Sequence, residues 1–282
     1  MSFKKYFQLT KPGIIFGNLI TLTGGFLLAT HREIGVEHLA LFFYVMLGVA
    51  LMIAAGCVFN NIYDKDIDSA MVRTKNRPLV TGDISVIQAT IYGSILLILS
   101  CAVLYYLVNL LTLWIIIIGF IVYVGIYTVS KRITIHATIL GGISGAIPPV
   151  AGYTAVVNHL DYNALGLFLI LFFWQIPHSF AIAMLYMDDY KKVNLPMLPL
   201  VKGVVCTKKI MLMYLVLFVI SCALPTMLGT ADRVSFVICM LIAIFWLYKS
   251  AKSYIQDEDR VFAKTVFKFS IVVITLICLT FG

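Results

Sequence analysis

The chain has 282 residues, of which 61% are hydrophobic and 12% charged, and its mean hydropathy is +1.00. A water-soluble domain of this length has nowhere to put so much apolar surface, so a soluble fold is excluded and an integral membrane protein is expected. A formal charge of +8 on such a chain fits anionic headgroups and anionic substrates at one membrane face better than nucleic acid.

A membrane-crossing helix needs about 20 apolar residues. Nine such runs are predicted, at roughly 12–30, 39–60, 84–107, 110–129, 134–156, 163–186, 209–228, 233–249 and 265–281. The fold class expected is all-α, an integral membrane bundle of nine transmembrane helices. Basic residues check this division, because cytoplasmic loops carry the excess of Lys and Arg. With the N-terminus inside, 19 of the 21 fall on that side, and only Arg32 and Arg233 fall on the other. The N-terminus is therefore predicted to be cytoplasmic and the C-terminus outside. The segment before the first span is too short, and that span too long, for a cleaved signal peptide, so the expected home is a bacterial inner membrane. Six cysteines lie mostly within the spans with no paired spacing, and read as packing residues.

Span one carries Asn18, a polar group at membrane depth, where such groups usually face the bundle interior. Span two ends in Asn60, Asn61, Ile62, Tyr63, Asp64, Lys65, Asp66, Ile67, Asp68, at the start of a basic loop. On a helix Asn60, Asp64 and Asp68 are four apart and stack along one face. Two carboxylates and an amide are hard oxygen ligands that suit Mg²⁺, which typically takes one or two carboxylates together with substrate phosphates. Their place at a helix end also implies that they are dispensable for folding. Arg73 and Arg77 follow, again four apart, with guanidinium forks suited to phosphate oxygens. Lys131 and Arg132 close span four, with Tyr127 one turn before Lys131, and offer a third wall to a diphosphate. For Arg132, Lys208 and Lys209 the positive-inside signal alone is the simpler account.

Span five holds Gly141, Gly142, Gly145, Pro148, Pro149 and Gly152, which allow close helix approach and bend the span, by a cavity or by packing alone. Span six carries Gln175 and His178 at membrane depth and is followed by a second acidic loop containing Asp188 and Asp189. The two acidic loops lie four spans apart, which points to two similar halves. His178 is 11 residues before Asp189, about 16 Å deeper, so it cannot share a metal site with it. It is either a packed, hydrogen-bonded histidine or a group that touches a hydrophobic acceptor. His31, His38 and His159 fall in outer loops and receive no role.

These residues resemble the intramembrane UbiA-type prenyltransferases, and within them the branch that farnesylates haem. The resemblance rests on Leu9 to Pro12; Asn60 to Asp68 running into Met71, Arg73, Thr74, Arg77, Pro78 and Leu79; Tyr127, Thr128, Lys131 and Arg132; the Gly and Pro residues of span five; Trp174, Gln175, Pro177 and His178; and Asp189 and Tyr190 with Pro196, Leu198, Pro199, Lys202 and Gly203. It covers spans one to six, the last three spans being generic apolar helices. It implies a single transmembrane domain over 1–282, with Mg²⁺ as the ion. The implied reaction moves farnesyl from farnesyl diphosphate to a vinyl group of haem B, with water added, giving haem O. By that likeness Asp64, Asp68, Arg73, Arg77 and Lys131 are catalytic. Asn60, Tyr127, Lys202, His178 and Asn18 bind substrate, His178 as an axial haem ligand or proton relay. Asn60, Asp64, Asp68, Asp189 and Asp188 are the metal candidates. The superfamily commonly has two aspartates four apart in its second motif, but Lys192 and Val193 stand where the second would fall, so Asp189 ranks above Asp188. Membrane lipid surrounds the chain, and a haem A synthase or a terminal oxidase is the assembly partner to look for. The rivals are a prenyltransferase acting on an aromatic acid for quinone synthesis, and a transporter; acids gathered at one membrane face disfavour the transporter.

Overall fold

The protein is represented by a computed structural model, which describes residues 3–30, 35–256 and 258–281. Among them every regular element is a helix, and nine are long and apolar enough to cross a membrane: Pro12–Thr30, Val36–Tyr63, Val86–Leu107, Leu110–Ser130, Ala137–Val157, Tyr162–Leu185, Val204–Met227, Arg233–Gln256 and Asp259–Thr280. We call these spans one to nine. His31 and Arg32 lie outside the described residues.

Local chemistry fixes several span ends. Ser85 and Gln88 form a reciprocal capping box at the start of span three, and the Asp161 carboxylate accepts the N–H groups of Asn163 and Ala164 at the start of span six. Span five is two helices, Ala137–Gly145 and Ile147–Val157, joined at Ala146. Pro148 and Pro149 fall in the first turn of the second, where their missing N–H groups cost nothing. Spans eight and nine extend further into charged sequence than their apolar runs indicate. Asp259, at the start of span nine, is held by Lys208 of span seven, whose ammonium bonds it at 3.1 Å and lies 4.9 Å from the centres of both the Tyr254 and Phe262 rings.

Spans one to five form one group, with span two along span three and span one along the second half of span five. Spans six to nine form the other, with span six against spans seven and nine. The groups join where span five meets span six and where span nine meets span one. The division is five and four rather than the matched halves that the acidic loops indicated. Outward faces carry large apolar side chains such as Ile95, Ile98, Leu99, Trp114 and Leu241, an exterior that lipid solvates.

Candidate active site

Span two does not stop cleanly at Tyr63. Asp64 joins it to a short helix, Lys65–Ala70, and the helical bonds run through the joint: Asp64 N–H to Asn60 O at 2.9 Å and Asp68 N–H to Asp64 O at 2.8 Å. Register is therefore kept across the joint. Asn60, Asp64 and Asp68 are 3%, 3% and 2% exposed, whereas the Asp66 side chain, on the opposite side, is 64% exposed.

Each member of this buried face carries a basic partner from elsewhere in the chain. Lys11 Nζ donates to Asn60 Oδ1 at 2.5 Å, Lys131 pairs with Asp64 Oδ2, and Arg77 pairs with Asp68 Oδ2. Asn60 Nδ2 donates to Thr128 Oγ1 at 3.0 Å, and Thr128 in turn bonds the Tyr123 carbonyl at 2.8 Å. Asp64 Oδ1 is buried without a hydrogen-bond partner, with the Arg132 guanidinium 3.8 Å away. Arg132 uses its fork on Asp66 instead, with both contacts at 2.7 Å, and holds that carboxyl down at about 2. Burial pushes the Lys131 ammonium down against the pull of Asp64, and pushes Lys11 down to about 8.

The backbone arranges these partners. Lys11 has φ +52°, a left-handed conformation uncommon outside glycine, and Asn61 Nδ2 bonds the Leu9 carbonyl at 2.9 Å, so the entry to span one is fastened to the end of span two. In span four, residues Val122–Tyr127 form a π-helix, an insertion often found at functional sites. Its wide turn brings Tyr123 and Tyr127 nearly into line, with ring centres 5.8 Å apart and planes 13° from parallel. Lys131 lies 5.8 Å from the centre of the Tyr127 ring, and Gly141 of span five faces the same ring.

The second acidic loop meets the first. Asp189, in the short helix Met187–Lys192, accepts the N–H groups of Val72 at 3.0 Å and Arg73 at 3.2 Å. The Arg73 guanidinium sits over the Tyr186 ring at 4.8 Å. Asp189 thus braces the loop that carries Arg73, while Asp188 is exposed. Among the described residues no three His, Cys, Asp or Glu side chains gather in one group, and of the metal candidates Asp189 has both carboxylate oxygens on backbone N–H groups. Two further sequence candidates also stand apart. Asn18 Nδ2 donates back to the Ile14 carbonyl of its own helix at 2.8 Å, and Lys202 is exposed with no side-chain contact to the cluster among the described residues.

His178 lies within span six and contacts span nine: Nδ1 is 2.7 Å from Ser270 Oγ. Its ring stacks on Trp174 at 4.7 Å and tilts against Phe267 at 5.2 Å.

The UbiA prenyltransferase family profile matches residues 18–272. The chain belongs to that family. It is 84% identical over 282 residues, the whole of both chains, to the protoheme IX farnesyltransferase of Francisella tularensis subsp. holarctica. A solved structure of digeranylgeranylglyceryl phosphate synthase superposes with a TM-score of 0.77 at 22% identity, covering 99% of this chain and 96% of that one. A UbiA homologue from Archaeoglobus fulgidus, solved with GPP and Mg²⁺, superposes with a TM-score of 0.70 at 19% identity, covering 98% and 99%. This UbiA member is therefore a multi-pass membrane prenyltransferase. Ser270 was not singled out in the sequence, and Lys11 and Thr128 carried the family resemblance there without being given a role in the site. For Lys11 a signal existed, a basic residue before the proline that opens span one, but the positive-inside tendency accounts for it equally well.

Proposed function

We propose that this prenyltransferase moves the farnesyl group of farnesyl diphosphate to a vinyl group of haem B, with addition of water, giving haem O and diphosphate. The observation that carries the donor half is the buried face of Asn60, Asp64 and Asp68, interleaved with Lys11, Lys131 and Arg77 at the end of an apolar span. The acceptor half is supported by the name of the 84% identical relative.

Magnesium fits this face, because Asp64 Oδ1 is a buried oxygen lacking a hydrogen-bond partner next to further hard oxygens. Asn60, Asp64 and Asp68 would hold it, and a prenyl diphosphate with Mg²⁺ is what the Archaeoglobus structure contains. Bound there, the ion offsets negative charge on the diphosphate. Lys131, Arg77 and Arg73 neutralise diphosphate oxygens as the allylic C–O bond breaks. Tyr123 and Tyr127 offer aromatic faces to the farnesyl cation. The terminal vinyl carbon then bonds to farnesyl C1, positive charge passes to the carbon next to the porphyrin, and water adds there and loses a proton. His178 is assigned to the acceptor. The basic excess supports a cytoplasmic N-terminus, with the two acidic loops on the same side of a bacterial inner membrane.

Purified protein incubated with haem B, farnesyl diphosphate and Mg²⁺ should yield haem O, identified by mass spectrometry. Unchanged haem B, with prenylation of an added aromatic acid instead, would assign the chain to quinone synthesis.

A further inference from the structure

We infer that Ser270 of span nine is a positioning residue that fixes His178 in the tautomer with its proton on Nδ1 and its lone pair on Nε2. The functional weight of this inference rests on the acceptor role proposed for His178.

Ser270 Oγ makes two short contacts, to Phe267 O at 2.6 Å and to His178 Nδ1 at 2.7 Å, and it has one proton for both. A carbonyl oxygen only accepts, so the serine proton goes to Phe267; otherwise two lone pairs would face each other at 2.6 Å. His178 must then be the donor in the other contact, with the hydrogen on Nδ1. This is the reverse of the tautomer that histidine favours in water. Which ring nitrogen is free to bind is set by the hydrogen bond the other one makes. Among the described residues the imidazole's hydrogen bond is made through Nδ1, so Nε2 is the nitrogen left for a haem iron or a substrate proton.

Ser270 acts a second time through its backbone. Its carbonyl accepts Trp174 Nε1–H at 2.8 Å, and the Trp174 ring is the one stacked 21° from parallel on His178. Phe267, one turn before Ser270, tilts 32° against the same imidazole. The ring is therefore clamped between two aromatic side chains, and span nine supplies Phe267, the Ser270 hydroxyl and the carbonyl that holds Trp174.

The test uses full-length protein in detergent, labelled with ¹⁵N-histidine, with the His178 signals identified by their loss in His178→Gln. Wild type should show Nδ1 protonated and Nε2 bare, Ser270→Ala should shift His178 to the ordinary tautomer, and Ser270→Thr should keep the wild-type pattern. Trp174→Phe, which removes the indole donor but leaves the hydroxyl, should also keep it. A proton on Nε2 in wild type, or no change in Ser270→Ala, overturns the inference. Haem B titration followed by absorption then tests the functional half: Ser270→Ala should weaken binding about tenfold, and Ser270→Thr should restore it. If the tautomer is as stated but His178→Ala binds haem B with the wild-type affinity and spectrum, the acceptor role of His178 falls while the proton assignment stands.

Discussion

At the scale of single residues, the two oxygens of Asp64 differ: Oδ2 carries the Lys131 ammonium and Oδ1 is buried without a hydrogen bond. Asp64→Asn or Asp68→Asn should lower turnover more than about 100-fold, because an amide is a poor substitute for a metal-binding carboxylate. Asp66→Asn, on the exposed side, should stay within about threefold of wild type. The helix-end position had implied that folding would be spared, and the buried pair changes that. Breaking a buried ion pair commonly costs about 3–5 kcal/mol, reduced here because burial already favours loss of the Lys131 proton. Asp64→Asn should therefore lower the melting temperature in detergent, and adding Lys131→Gln should recover stability without recovering turnover. Equal turnover loss from all three aspartate substitutions would contradict the facing arrangement. Asp189 gives a second contrast. Its oxygens bond the backbone of Val72 and Arg73, so Asp189→Ala should raise the KM for farnesyl diphosphate roughly tenfold, as Arg73→Ala should, by the strength of a charge-assisted hydrogen bond. Mn²⁺ affinity, read by EPR, should change less than about threefold in both. A large fall in Mn²⁺ affinity for Asp189→Ala alone would make it a metal ligand after all.

At the scale of elements, span five shows how one glycine-rich helix does two jobs. A Cβ on Gly25 would come 1.9 Å from the Pro149 carbonyl oxygen, and one on Gly152 would come 2.1 Å from that of Leu22, so spans one and five touch backbone to backbone. Gly25→Ala and Gly152→Ala should each lower the melting temperature and the yield of inserted protein, because neither backbone can move aside alone. A Cβ on Gly141 would instead meet the Tyr127 ring at 2.7 Å, and a ring can turn. Gly141→Ala should leave the melting temperature within a few degrees of wild type and still reduce turnover, a separation that a thermal-shift assay and a product assay reveal together. The sequence exposes the spans because each needs a run of apolar residues, and the third, foreseen at 84–107, is observed at Val86–Leu107. It also exposes the acidic face, because a spacing of four is a helical period. The charged ends of spans eight and nine were hidden, since Lys252 and Lys264 remain helical while looking like loop residues. The roles of Lys11, Thr128 and Ser270 were hidden for another reason. Their partners are 49, 68 and 92 residues away, and only the packing of spans brings them together.

At the scale of the whole molecule, the site sits where two groups of spans share one membrane face. The loops after spans two and six meet through Asp189, the start of span one is fastened there through Lys11, and the end of span four contributes Lys131 and Arg132. Odd and even spans run in opposite directions, so all these segments lie on the same side, which is also the side with 19 of the 21 basic residues. That charge excess makes the orientation testable independently of catalysis. Single cysteines at Lys75 and Lys202, in a version with the six native cysteines replaced, should react with a membrane-impermeant maleimide in inverted vesicles but not in intact spheroplasts. A cysteine at His159, between spans five and six, should show the opposite pattern. Native cysteines can be replaced because all six are free, so no disulfide is lost. Labelling of Lys75 and Lys202 positions in intact spheroplasts would invert the topology, and the site would then open away from the compartment in which farnesyl diphosphate is made. Inverted labelling with intact activity would therefore overturn the cytoplasmic supply of the donor, and the donor assignment would have to be re-examined with it.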